Sequence, residues 1–238
     1  MENNENNVDN TSPAPSPTGE LNKEELKAEA TETVTQVKEL VKNVDLKKEA
    51  ENAKGFLEEV LKNPIGKMRD IAANSGNYLS IGIAILAVWV IATFLREIIS
   101  LTRFSSWGFS LFIQRVYNIA AGTVSPIFII LVLVGAIYII FKGRVKGFMP
   151  IVITMLIANA PRALGALLNL IIIVVPRASQ IINPINSFFY IVAIVLMYFG
   201  IKALVSAQDD EKFFIDFIKV QALYFVGQVV LNFFNVFI

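Results

Sequence analysis

An arginine set inside an apolar run is the first residue of this chain whose type and place suggest chemistry. Arg162 lies near the middle of the stretch 148–175, directly after Pro161. A charge near the bilayer centre costs on the order of 3 kcal/mol and usually faces a bundle interior or a wet cavity. At helical spacing Asn159 and Asn169 fall on roughly the same face as Arg162. Pro161 has no N–H to donate, so a backbone carbonyl is freed beside them. Two readings stay open. Either Asn159, Arg162 and Asn169 form a polar site in a broken span, as transporters use, or Arg162 staples helices together or snorkels. Asp216 and Glu97 are the acids that could partner it. A second polar set, Gln221, Tyr224, Gln228, Asn232 and Asn235, is spaced 3-4-4-3. These five fall within about 80° of helical arc, and interhelical hydrogen bonding is their default role.

Other chemistry is scarce. The chain has no Cys and no His, which removes thiol nucleophiles, disulfides and the commonest general base and metal ligand. No phosphate-cradling Gly loop, G-x-S-x-G or H-E-x-x-H pattern occurs. The run Asp209-Asp210-Glu211 reads as a solvated loop. The expectation is a protein with no catalytic residues, no metal ligands, no cofactor and no enzymatic activity. Clustered basic residues interleaved with stacking aromatics are also missing, so no nucleic-acid partner is expected.

The elements that must position these residues are membrane helices. Apolar residues make up 55% of the 238 positions, too many for an ordinary soluble domain. Residues 1–62 hold 14 acidic and 8 basic groups, whereas the remainder holds 6 and 13. About 20 apolar residues cross a hydrocarbon core, and five stretches qualify, at about 78–95, 124–141, 148–175, 188–207 and 213–238. The expected fold is all-α: a polytopic membrane protein with about five transmembrane helices behind a polar N-terminal helical arm. Residues 63–238 form the membrane domain. Residues 1–20 read as a disordered tail. Residues 21–62 read as an amphipathic cytoplasmic helix or linker, with a weak Ala/Val stripe, and Asn63-Pro64 as its break. Between the first two spans, 98–122 combines Arg103 and Arg115 with Trp107, Phe109, Phe112 and Tyr117. That mixture suits an interfacial segment, with a sixth span as the alternative. The opening MENNENNVDN lacks the basic and apolar regions of a signal peptide, so the first span is expected to direct insertion.

Lys/Arg placement sets the expected orientation. With five spans, Lys62, Lys67, Arg69, Lys142, Arg144, Lys146, Lys202 and Lys212 share one side, against Arg96, Arg103, Arg115 and Arg177 on the other. This predicts a cytoplasmic N-terminus and an outside C-terminus, although the three Arg of the first external loop pull the other way.

The order of features resembles the YIP-type membrane proteins, which interact with Ypt/Rab GTPases and have bacterial relatives. The similar residues are Asn63-Pro64-Ile65-Gly66-Lys67-Met68-Arg69 before the first span, the basic loop and Pro-containing third span from Gly143 to Leu170, and FIDFIKVQALY from Phe214 to Tyr224. The resemblance covers about residues 60–238. It lacks the acidic Asp-Leu-Tyr-Gly-Pro-like segment of eukaryotic members and the Cys-rich ribbon of some bacterial ones. What it implies is a five-span topology in a bacterial plasma membrane. The implied function is non-enzymatic, through partner binding or membrane organisation. The bilayer, a protein partner on residues 21–62 and a second copy of the chain are the partners expected. The alternative is a small transporter or lipid-handling protein built around Arg162.

Overall fold

A computed structural model describes residues 55–237 except 57, 61, 102–108 and 146. The side chains of 101, 109–111 and 232–237 also lie outside the description. The arm at 21–54 and the tail at 1–20 are therefore not described, nor are the side chains of Asn232 and Asn235. Everything described is helix or short turn, without a strand.

The chain enters the membrane region through α1, Pro64–Ala73. Its start is dictated locally: Asn63 accepts from the Gly66 N–H at 3.0 Å, and Pro64 fills the first turn, where its missing N–H costs nothing. Met68 and Ile71 of α1 are buried, as are Phe56 and Val60 just upstream. A 3-10 turn, Ser75–Tyr78, leads into α2, Leu79–Leu101. Then come α3, Phe109–Ile140, α4, Phe148–Ala158, and α5, Ala160–Val174. After a short 3-10 turn follow α6, Ser179–Leu204, and α7, Asp210–Phe237.

Four helical stretches, Ser75–Ser100, Phe112–Ile140, Pro176–Leu204 and Asp210–Leu231, are long and apolar enough to cross a membrane. The pair α4–α5 makes a fifth if its 42° bend counts as one broken span. The outer surface supports this reading: Ile91, Leu131, Ile191 and Phe225 stand exposed on four different helices. A soluble domain rarely presents such apolar faces. The protein is thus all-α and compatible with a multi-pass membrane protein.

The segment 98–122 is helical at both described ends. Residues 98–101 finish α2, and 109–122 are continuous with α3. At 1.5 Å per residue the 32 residues of α3 extend roughly 48 Å. That exceeds the ~30 Å hydrocarbon core, so one end of α3 must reach the interface.

The bent pair sits at the centre. α4 packs on α1, α2, α3 and α6, and α5 packs on α2 and α6. Every residue of α4 from Ile153 to Ala158 is buried, in keeping with a stretch that is apolar all round but for Thr154. Close approach needs a small residue on α6. A Cβ on Gly200 would lie 2.7 Å from the Thr154 methyl and 2.8 Å from Met68 Cε, so glycine lets α1, α4 and α6 meet. α7 packs chiefly against α3.

Charged side chains gather at the helix ends. Arg144 in the α3–α4 loop reaches Asp216 on α7 at 3.2 Å, and Lys219 reaches the same carboxylate at 3.0 Å. Lys202 meets Asp210 at 2.7 Å, and Lys67 meets Glu59 at 2.8 Å. The acidic run at 209–211 begins α7: Asp209 accepts from the Lys212 N–H at 3.0 Å, as an N-terminal cap does.

Candidate functional site

The site starts from the break between α4 and α5. Pro161 cannot donate to the carbonyl one turn back, so the helical ladder is interrupted there. Asn159 occupies the junction with φ −91° and ψ 4°. It is completely buried, and its side-chain amide donates back to the Met155 carbonyl at 2.8 Å. The Arg162 N–H then bonds the Asn159 carbonyl at 2.9 Å and restarts the ladder. Thus Asn159 closes one half-helix and Arg162 stands in the first turn of the next.

From there the Arg162 guanidinium crosses to α7. Its Nη1 donates to the Tyr224 hydroxyl at 2.5 Å, and Gln228 Nε2 donates to the same oxygen at 2.6 Å. The Tyr190 ring of α6 lies 4.3 Å from the guanidinium carbon, and the Tyr224 ring lies at 5.6 Å. An aromatic face at such a distance stabilises a cation by electrostatic attraction. No carboxylate joins them: among the described residues no ion pair includes Arg162. Asp216 is taken by Arg144 and Lys219, and Glu97 lies 3.9 Å from Arg96.

Depth follows from the span limits. Tyr190 is the midpoint of Pro176–Leu204, and Arg162 is within one residue of the midpoint of Phe148–Val174. The cluster therefore lies near the middle of these apolar stretches, a depth at which, in a bilayer, an unpaired polar group would have no water to turn to. Several polar atoms there are enclosed without a hydrogen bond: Arg162 Nε and Nη2, Asn159 Oδ1 and Gln221 Nε2.

No family model, curated protein or solved structure matches this chain. Its functional reading therefore rests on this geometry and on sequence pattern.

Of the residues singled out in the sequence, Arg162, Tyr224 and Gln228 form one connected group, with Asn159 at the break beside Arg162. Asn169 belongs to another contact. It accepts from Asn186 Nδ2 at 2.7 Å, joining α5 to α6 where Gly165 lets the helices approach. Gln221 has its side-chain nitrogen buried one turn from Tyr224. Asn232 and Asn235 lie on α7 beyond the described side chains. Sequence reading missed Tyr190 and Asn186. The signal was there: they are four residues apart in the fourth span, on one helical face of a mostly apolar run. Among the described residues no three His, Cys, Asp or Glu side chains converge as a metal site would require.

Proposed function

We propose that this protein binds a polar ligand at the mid-membrane Arg162 site and acts as a small transporter or lipid-handling protein, by binding rather than by catalysis. The observation that carries the reading is a guanidinium enclosed among three helices without a carboxylate, with two of its nitrogens unpaired. A purely structural arginine would be expected to have its donors satisfied, because each unsatisfied buried group costs about 1–3 kcal/mol. The test is Arg162→Leu in reconstituted vesicles, with helicity and monodispersity as fold controls. Loss of a saturable binding or flux event from a folded variant supports the reading. Unchanged binding and flux would sink it, and a variant that only misfolds would return Arg162 to a stapling role.

A second reading is favoured by the arm. The amphipathic stripe within residues 21–62 and the resemblance to YIP-type proteins of a bacterial plasma membrane point to partner binding or membrane organisation. In this reading the N-terminus is cytoplasmic, as the Lys/Arg balance of the loops suggests. Phe56 and Val60 pack into the membrane domain, so the informative truncation removes residues 1–54 and leaves them in place. In-cell crosslinking should then lose a stoichiometric protein partner. Retention of every crosslink would reject a role for the arm, and recovery of self-crosslinks alone would favour an oligomer.

A further inference from the structure

The unpaired atoms of Arg162 define a shape as well as a charge. A guanidinium presents five N–H donors in a rigid plane. Nη1 is used by Tyr224. The two nitrogens left over, Nε and Nη2, share one edge of that plane and point their N–H bonds in parallel. This edge matches two oxygens of a carboxylate or phosphate, a fit that a lysine ammonium does not reproduce. The plane is fixed in advance: Tyr190 stacks near the guanidinium carbon, and Tyr224 holds the opposite corner. The Tyr224 oxygen already accepts two hydrogen bonds, from Arg162 and Gln228, so its own proton is free to donate. Arg162 also lies in the first turn of α5, where the helix dipole is positive and disfavours a second cation but favours an anion. Donor geometry, surplus positive charge and helix end all ask for the same occupant.

The way in is sideways. Tyr190 is 42% exposed, and its neighbours Phe188 and Ile191 are exposed too. The ring that covers one face of the guanidinium therefore stands at the periphery of the bundle, and its side-chain rotation would open that face and, past it, a way toward the free edge.

We propose that Arg162 Nε and Nη2 hold a two-oxygen oxyanion, a carboxylate or a phosphate, with Tyr190 as the movable cover. This rests on the binding-site reading above and names its ligand class. The same chemistry is carried by the head of an anionic amphiphile and by a free anion, and the experiment separates them. The full chain in neutral detergent is titrated with oleate, phosphatidic acid, inorganic phosphate and, as a neutral control, diacylglycerol. Bound ligand is counted by native mass spectrometry. Expected is one saturable oleate or phosphatidic acid per chain, weakened at least tenfold by Arg162→Lys, with Tyr190→Ala changing exchange rate more than occupancy. Displacement of that ligand by millimolar phosphate, or binding of phosphate alone, assigns a free anion. Its failure to compete assigns a lipid head. Equal binding by wild type and Arg162→Lys, with loss only in Arg162→Leu, overturns the two-oxygen fit while leaving a polar binding site. Diacylglycerol binding as tight as oleate, or no anion bound at all by the folded wild type, also overturns it.

Discussion

Two residues carry consequences beyond their own positions. The Tyr224 hydroxyl is the shared acceptor of Arg162 and Gln228, so Tyr224→Phe strips a partner from both. The expected cost is about 1–2 kcal/mol, above the ~0.6 kcal/mol average for one interhelical hydrogen bond. Reversible unfolding in mixed micelles measures it, and a double-mutant cycle with Arg162→Leu should show the two losses to be non-additive. A negligible change would mean the hydroxyl does not hold the guanidinium. At the membrane edge, Tyr78 and then Asn74 donate to Asp70 and lower its carboxyl below the ordinary value. A carboxylate lowered in the folded state stabilises above its unfolded value and loses that contribution as pH falls through the folded one. Acid below about pH 4 should therefore loosen α1 from the turn at Ser75–Tyr78, and Asp70→Asn should abolish that pH step. Hydrogen exchange at residues 66–78 reads both, and a step that survives in Asp70→Asn would assign it elsewhere. How much of this was legible in sequence depends on range. Arg162 and Tyr224 stood out because a polar group in an apolar run is costly wherever it lands. Their pairing joins residues 62 apart, and no local pattern encodes it. Tyr190 was legible only as a polar position four residues from Asn186; that its ring stacks on a cation is again a long-range contact.

Helices were more legible than side chains, and their interruptions most of all. Pro161 in the middle of an apolar stretch announced an interrupted helix, and the 42° bend between α4 and α5 is its physical result. Helix limits were less legible, because apolar content marks the lipid-buried part and not the hydrogen-bonded part. The second span reads from about 124 by hydropathy, whereas α3 begins at Phe109. The end of α6 shows a different device. The Ser206 N–H reaches the Ala203 carbonyl and the Ala207 N–H reaches that of Lys202, both at 3.3 Å. Ser206 adopts φ 48° to make this turn, the paired-bond stop that usually takes glycine. A side chain in that conformation is strained, so Ser206→Gly is expected to stabilise the protein by roughly 0.5–1 kcal/mol. The unfolding midpoint should rise accordingly, and a fall would show that the Ser206 side chain contributes something the backbone does not.

For the molecule as a whole, the strongest expectation concerns sidedness. With α4–α5 as one broken span, the loops at 141–147 and 205–209 lie on one face and the turn at 175–178 on the other. The chain has no cysteine, so single cysteines can be introduced without a background. Lys142→Cys and Gln208→Cys should react with an impermeant thiol reagent from the same side, and Arg177→Cys only from the opposite side. Reaction of Lys142→Cys and Arg177→Cys from one side, with Gln208→Cys reacting only from the other, would make α4–α5 a re-entrant pair that dips in and returns, because α6 still crosses. The contact between Arg162 and Tyr224 also places a demand on synthesis. Their separation of 62 residues corresponds to about 3–12 s of translation at ~5–20 residues per second. For that interval the guanidinium is already made and its hydroxyl partner is not. If α4–α5 is one broken span, settling into lipid before α7 is made would cost about 3 kcal/mol for the unpaired guanidinium. Either the insertion machinery shelters it until α7 emerges, or α4–α5 waits at the interface, and a chain arrested between the two positions should be held at the translocon.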